Sequence, residues 1–538
     1  YTYLADTYPD KVEWDSDKIL VVTIDIETRC ENGFPDPEKA EEEMLSITIK
    51  NQSTKKIVVW GIGDYHTDRE DVTYINCSNE NELLAKFMNF WTKHYPDVIT
   101  GWNTEFFDIP FLVNRVTKVL GEDRAKEFSP WGNVSSRSVY SHGRPQQVYD
   151  IQGVSNLDYL QIYRKFTYTA QESYRLDHIA FVELGEKKNE NPYDTFKDWY
   201  TKDYQSFIDY NIVDVELVDR LEDKMKLLEL LFTMAYEAKV NYEDVFGQVK
   251  YWDVLIHNYL KKRKIVIPQK SHTSKNDKYE GAYVKDPQVG QHKWVMSFDL
   301  NSLYPHLIMQ YNMSPETLVT GDYMELGVDS MLKETSIDVP ERCTITPNGA
   351  LYRTDKKGFL PEMMQEIYDD RTIFKKKMLQ AKQDYEDTKD PKYLKFISRY
   401  NNIQMARKIS LNSAYGAIGN QYFRYYDLAI AEGITTAGQL SIRWIEKKMN
   451  QYLNKLLNTD MDYVIASDTD SIYVTFDALI EKVNPKNPID FLDTIAKEKI
   501  EPFIDKSYKQ LADYVSAYDQ KMFMKREVIA DKGIWTAK

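Results

Sequence analysis

The tripeptide Asp468-Thr469-Asp470 stands between two apolar runs, Tyr463-Val464-Ile465-Ala466 and Ile472-Tyr473-Val474-Thr475-Phe476. The pattern predicts a β-hairpin with two carboxylates projecting from its bend. A hairpin tip ordinarily carries Gly or Asn and at most one charge, because neighbouring carboxylates repel each other unless a cation bridges them. The tripeptide therefore asks for a sheet to carry the hairpin and for further groups to gather round a metal. Asp299, at the end of another apolar strand pattern, and a basic helical stretch between the two are suited to join it.

At 538 residues the chain is too long for one hydrophobic core, and implies roughly three to five packed units. Hydrophobic residues make up 42% and charged residues 28%, which fits soluble globular domains rather than extended disorder. No apolar run reaches membrane-spanning length, and Tyr1-Thr2-Tyr3-Leu4-Ala5-Asp6 does not resemble a signal peptide, so an intracellular location is expected. Cys30, Cys77 and Cys343 form no Cys-x-x-Cys pair, which implies neither a disulfide framework nor a zinc site. The net charge of −15 runs against a nucleic-acid binder, but acid clusters can hold metals while a separate basic face holds phosphates.

The pattern predicts a buried strand over 19–26 with hairpin neighbours at 44–49 and 57–60, a helix over 80–91, a strand over 97–102 and a helix over 109–119. One long helix is expected from 204 to about 231, closing a mixed α/β unit. Residues 237 to about 264 continue helical, and the polar stretch 269–277 reads as a linker or exposed loop. A strand follows at 293–299. Helices over 361 to about 387 and 391 to about 414, with Pro391 at the first helical position, should form an antiparallel hairpin. After Gly419 strands and helices alternate.

Asp25 and Glu27 stand two apart on a strand, so both side chains leave one face and can share a metal. Asp108, among aromatic and apolar residues, needs a partner. Tyr210 and Asp214 lie one helical turn apart, suited to a phenol that orients water beside a metal-bound carboxylate. In the second half, Asp299 leads into a turn whose backbone N–H groups can meet phosphate oxygens, with Tyr304 close by. Arg371 and Lys375 form one helical stripe, and Lys408, Asn412 and Tyr415 another, in a basic region of an acidic chain. Each signal alone has a plain alternative: a solvent-facing strand edge, a helix-surface contact, one core tyrosine among 40, or a solvated charged face.

Six motifs in order, DIE at 25–27, NTEFFD at 103–108, YNIVD at 210–214, DLNSLYP at 299–305, KISLNSAYG at 408–416 and DTDS at 468–471, resemble those of a family B DNA polymerase. The likeness is nearest to the replicative polymerases of T-even-type tailed bacteriophages. The resemblance implies a multidomain α/β and α+β fold: a remnant of an N-terminal domain at 1–18, a ribonuclease H-like 3′–5′ exonuclease domain at 19–231, and a helical connector at 232–270. An antiparallel-sheet palm follows at 271–357 and 420–538, interrupted by helical-hairpin fingers at 358–419.

In the exonuclease the resemblance makes Asp25, Glu27, Asp108 and Asp214 the metal ligands and Tyr210 the residue that orients the attacking water. Asn103 and Phe106 would contact the single-stranded 3′ end by sequence-tolerant stacking. In the polymerase site it makes Asp299 and Asp468 the principal metal ligands with Asp470 beside them, and adds Leu300 and Glu527 to the metal-binding positions. Arg371, Lys375, Lys408 and Asn412 would hold the triphosphate, with Ser302 and Leu303 beside it. Tyr304 would exclude a 2′-hydroxyl, and Tyr415 and Gly416 would shape the base-pair pocket. Tyr279 and Gly281 resemble the loop that helps share the primer end. Two Mg²⁺ ions per site are implied, with Mn²⁺ as an alternative. The partners implied are primer–template DNA, a single-stranded 3′ end and deoxynucleoside triphosphates, for a monomer with no membrane partner, in the host cytoplasm if phage-encoded.

Against the family pattern only 24 residues precede Asp25, and the chain stops at Trp535-Thr536-Ala537-Lys538. A fragment lacking a thumb and a sliding-clamp-binding tail is the expectation, with exonuclease activity exceeding processive synthesis; a catalytically inert DNA-binding fragment is the alternative.

Overall fold

In a computed structural model of the chain, residues 2–10, 12–31, 33–141, 143–167, 169–186, 191–270, 279–321 and 324–537 are described. They fall into two compact units, Tyr1–Gly247 and Gln248–Lys538. Among the described residues no helix is long and apolar enough to cross a membrane.

The first unit is built on a six-stranded sheet in the order Val72–Asn76, Ile57–Gly61, Met44–Asn51, Val21–Thr28, Val98–Thr100, Ser155–Asn156. Met44–Asn51 is antiparallel to both its neighbours, and every other pairing is parallel. Strand alternation along Val21–Thr28 buries Ile24 and Ile26 and leaves Asp25 and Glu27 half-buried on the opposite face. Ile24 and Ile26 pack into a core with Phe87, Trp91 and Phe111, supplied by the helices Glu80–Trp91 and Asp108–Leu120. A second cluster holds Ile57, Val59, Trp199, Phe207 and Ile212, the last two from the helix Tyr204–Met225. Asn79 caps Glu80–Trp91 by accepting the Glu82 N–H, which places its start where the sequence put it.

The long helix expected over 204–231 is instead two, Tyr204–Met225 and Leu227–Ala238, broken at Lys226 in the left-handed region (φ 57°). The helix expected over 237–264 is likewise interrupted. Lys239 is left-handed (φ 57°), a short 3₁₀ turn spans Tyr242–Phe246, and Gln248–Lys262 begins the second unit. The unit boundary thus falls inside the 232–270 stretch read as one connector. Most of the linker read at 269–277 lies outside the described residues.

The second unit carries a five-stranded sheet, Met524–Trp535, Gly290–Leu300, Ser471–Thr475, Val464–Asp468, Val284–Lys285, antiparallel throughout. The helices Phe359–Thr388 and Lys392–Ile418 pack along each other across the short link at Lys389, Asp390 and Pro391. Pro391 stands at the cap, one residue before the first helical position. The helix Leu428–Leu457, buried along much of its length, packs on this unit's core.

Candidate active sites

On the first unit, ligand oxygens of Asp25, Glu27 and Asp214 lie within 4.8 Å of one another. The strand supplies two of the acids and the helix Tyr204–Met225 the third. The fully buried Asn211 on that helix donates its amide to Asp25 Oδ2 at 2.6 Å, a contact that motif spacing gave no reason to single out. Asp108, at the first turn of Asp108–Leu120, accepts the Ile26 N–H at 3.2 Å, which ties it to the strand between the two acids. Burial pushes the Asp108 carboxyl up, and the charges of Asp158 and Asp214 add to the rise. Asp108 thus lies beside the three acids, near enough for the Asp214 charge to act on it. Tyr210 packs its ring on Trp199 at 4.9 Å and on Phe196 at 6.2 Å, which narrows its rotamers.

Asn103 sits in the left-handed region (φ 72°), and Asp158 holds its loop there. The Asp158 carboxylate accepts the N–H groups of Asn103, Glu105 and Leu160 at 3.0, 3.2 and 2.9 Å. Full burial pushes Asp158 up to about 7, against the lowering effect of those hydrogen bonds. Asn103 and Phe106 are both half-buried on this loop. Asp158 was missed by sequence reasoning because it lies far along the chain and in none of the motifs.

On the second unit, Asp299 ends the strand Gly290–Leu300 and pairs across the sheet with Ser471, which in turn pairs with Asp468. Asp299 and Asp468 are thus two strand spacings apart, roughly 10 Å. Asp470 at the turn is the acid that acts on Asp299. Burial, then the charges of Asp470 and Glu527, push Asp299 up to about 7, while Lys408 pulls the other way. Asp470 is itself raised by burial and by Asp468 and Glu527. Its carbonyl accepts the Leu300 N–H at 2.8 Å, locking the turn to the end of the Asp299 strand. Where the sequence put Asp468 first, Asp470 is the hairpin acid whose charge acts on Asp299, together with Glu527. Glu527 owes its place to a β-bulge: Ser297 pairs with Val528 and Phe298 with Arg526, so Glu527 is the extra residue.

The basic stripes lie on the helical hairpin. Arg371 is half-buried and Lys375 exposed on the first helix; Lys408 is half-buried and Asn412 exposed on the second. Arg407 pairs with Asp370 at 3.2 Å and clasps the two helices. After Asp299, Ser302 turns left-handed (φ 50°) and the buried Leu303 opens the helix Leu303–Gln310. The Tyr304 ring lies 4.6 Å from the Tyr415 ring, and the Tyr415 and Tyr279 hydroxyls are 3.1 Å apart. Gln439 donates to the Gly281 carbonyl at 2.8 Å. Gly416 packs against Gln248, with which a Cβ would collide. Tyr368 accepts from Asn301 at 2.6 Å, joining the turn after Asp299 to the hairpin, another contact that no motif announced.

Oxygen-rich acid groups on two units, one of them facing a cationic hairpin, suit an enzyme that acts on phosphate esters at two centres. Residues 246–491 match the family model for DNA polymerase family B, and residues 3–179 that for the exonuclease domain of the same family. The DNA-directed DNA polymerases of Escherichia phage RB69 and Enterobacteria phage T4 are each 34% identical over the whole chain, which covers 68% of their length. The DNA polymerase delta catalytic subunit of Candida albicans is 28% identical over 87% of the chain and 45% of its own length. The chain belongs to DNA polymerase family B and carries that family's exonuclease domain.

Proposed function

We propose that the chain is a DNA-directed DNA polymerase with 3′–5′ exonuclease activity, each chemistry residing in one unit. One observation carries the division: Asp25, Glu27 and Asp214 converge on the first unit, while on the second Asp299 faces Asp470 and Lys408. A sheet with one antiparallel strand among parallel ones supports a ribonuclease H-like exonuclease, and the antiparallel sheet with its helical hairpin supports a palm and fingers.

All-oxygen donor sets fit Mg²⁺ or Mn²⁺, and the burial and neighbouring Asp470 and Glu527 charges that lift Asp299 support a cation there. Asp25, Glu27, Asp214 and Asp108 would hold divalent ions in the exonuclease, and Asp299, Asp470 and Glu527 in the polymerase, with Asp468 and the Leu300 carbonyl at the edge. Bound cations would supply Lewis acidity and neutralise charge on the phosphate. In the exonuclease, Tyr210 orients the attacking water, while Asn103 and Phe106 seat the frayed 3′ end. In the polymerase, Arg371, Lys375, Lys408 and Asn412 grip the triphosphate by charge-assisted hydrogen bonds. Tyr304, braced on Tyr415, blocks a 2′-hydroxyl. Ser302 and Leu303 bring the start of a helix toward the phosphates, and Tyr279, Gly281 and Gly416 line the path of primer and base pair.

The test is a pair of variants assayed with Mg²⁺ on labelled single strands and on primer–template. Asp25→Ala should cut degradation by about 100-fold or more while sparing extension, and Asp299→Asn the reverse. Loss of both activities in either variant would end the two-unit division.

A further inference from the structure

We infer that Asn211 is a positioning residue of the exonuclease, fixing which carboxylate oxygen of Asp25 is presented to the metals. The inference rests on the reading of Asp25, Glu27 and Asp214 as metal ligands. Asn211 Nδ2 donates to Asp25 Oδ2 at 2.6 Å, and its Oδ1 accepts from Ser46 Oγ at 3.0 Å and Thr48 Oγ1 at 2.5 Å. The sheet register sets Thr48 opposite Asp25 and Ser46 opposite Glu27, so both hydroxyls rise from the face that carries the acids. Asn211, Ser46 and Thr48 are all fully buried.

Hydrogen-bond chemistry fixes the arrangement. A carboxylate only accepts, so the amide nitrogen must face Asp25; Oδ1 then takes both hydroxyl protons, and a flipped amide would lose the bond to Asp25 and set an oxygen against its carboxylate. The group next to Asp25 is neutral. A lysine or arginine there would stabilise the carboxylate by a charge that competes with the metal, and an apolar residue would remove the Oδ2 restraint that Asn211 supplies. A neutral donor locked by two hydroxyls restrains the ligand and leaves its charge for the cation, as partners behind metal ligands commonly do.

The experiment uses the full chain and reads Mn²⁺ binding by the paramagnetic signal of the free ion. An Asp299→Asn, Asp470→Asn background removes the second unit's acids from the titration. Asn211→Leu should weaken the remaining Mn²⁺ binding by about 10- to 100-fold. In the otherwise unaltered chain it should shift the Mn²⁺ needed for single-strand degradation by a similar factor, with activity regained at high Mn²⁺ and primer extension unchanged. Thr48→Val, a milder change should Asn211→Leu fail to fold, should move both readouts the same way by less. Asp25→Asn separates the two readings. If it abolishes the Mn²⁺ binding while Asn211→Leu and Thr48→Val leave affinity and metal dependence as in the parent, the positioning role is wrong. If Asp25→Asn keeps parental affinity, the ligand assignment itself falls, and the inference with it.

Discussion

Thr469 holds φ 49° at the hairpin bend, and the Asp470 N–H meets the Asp468 carbonyl at 2.5 Å, a turn closed over three residues. A β-branched residue in the left-handed region is uncommon and strained, and here it swings Asp470 off the strand row that Asp468 continues. That geometry sets Asp470 apart from Asp468, the acid the motif resemblance put first, and Asp470 is the one whose charge acts on Asp299. The hairpin was legible from its flanking apolar runs; which carboxylate meets Asp299 was not, because Thr gives no warning of a positive φ. Asp470→Asn should therefore lower primer extension by about 100-fold, and Asp468→Asn by clearly less. Steady-state extension of a matched primer by both variants measures the order, and a larger loss at Asp468 would overturn it. Asn211 and Asp158 escaped sequence reading for a related reason. Their partners are Asp25 and the Asn103 loop, which the fold alone brings within reach.

Helices were read well where local signals agree and poorly where a distant partner sets the end. Glu80–Trp91 follows from its Asn79 cap and apolar face. The break at Lys226 has no such mark, since lysine is a good helix former and the apolar pattern runs straight through. The buried Glu222 carboxylate makes the break by turning forward to accept the Leu228 and Glu229 N–H groups at 3.0 and 3.3 Å, and the Tyr159 hydroxyl at 3.0 Å. Burial pushes Glu222 up to about 7. An acid raised in the folded state keeps its proton after the unfolded chain, near 4.3, has lost it. Its contribution to stability is therefore full below about pH 4, falls as pH rises toward 7, and is level above that. With chelator present, melting should show stability of the first unit dropping between pH 5 and 7.5, as buried Asp158 also demands. Glu222→Gln, which keeps the neutral shape, should have a shallower drop; an unchanged slope would show that Glu222 is ionised in the fold.

Across the molecule, a charge of −15 coexists with basic stripes on one helical hairpin. Composition therefore misled where distribution did not. If that hairpin and its surroundings meet phosphates, primer–template binding must release counterions despite the acidic total. Affinity should fall by about tenfold or more between 50 and 200 mM salt, read by fluorescence anisotropy. A flat salt response would show that cationic contacts do not govern encounter, and affinity that rises with salt would show that acidic repulsion does. The mixed α/β make-up of the first unit was legible from strand and helix order, and the antiparallel sheet of the second followed from the motif resemblance. The seam between the units was not, because Lys239 and Gly247 interrupt a pattern that otherwise reads as continuous helix.

Glu527 has one more consequence. Because Val528 already faces Ser297 and Arg526 already faces Phe298, the last strand would close into an unbroken ladder were Glu527 simply cut out. Every other residue of Met524–Trp535 would keep its facing. The fold carries this residue as a passenger, retained at the expense of regularity. A one-codon deletion at 527 should leave the melting temperature equal or higher while copying slows. A protein that unfolds on losing it would show instead that the irregular step is part of the sheet's own architecture.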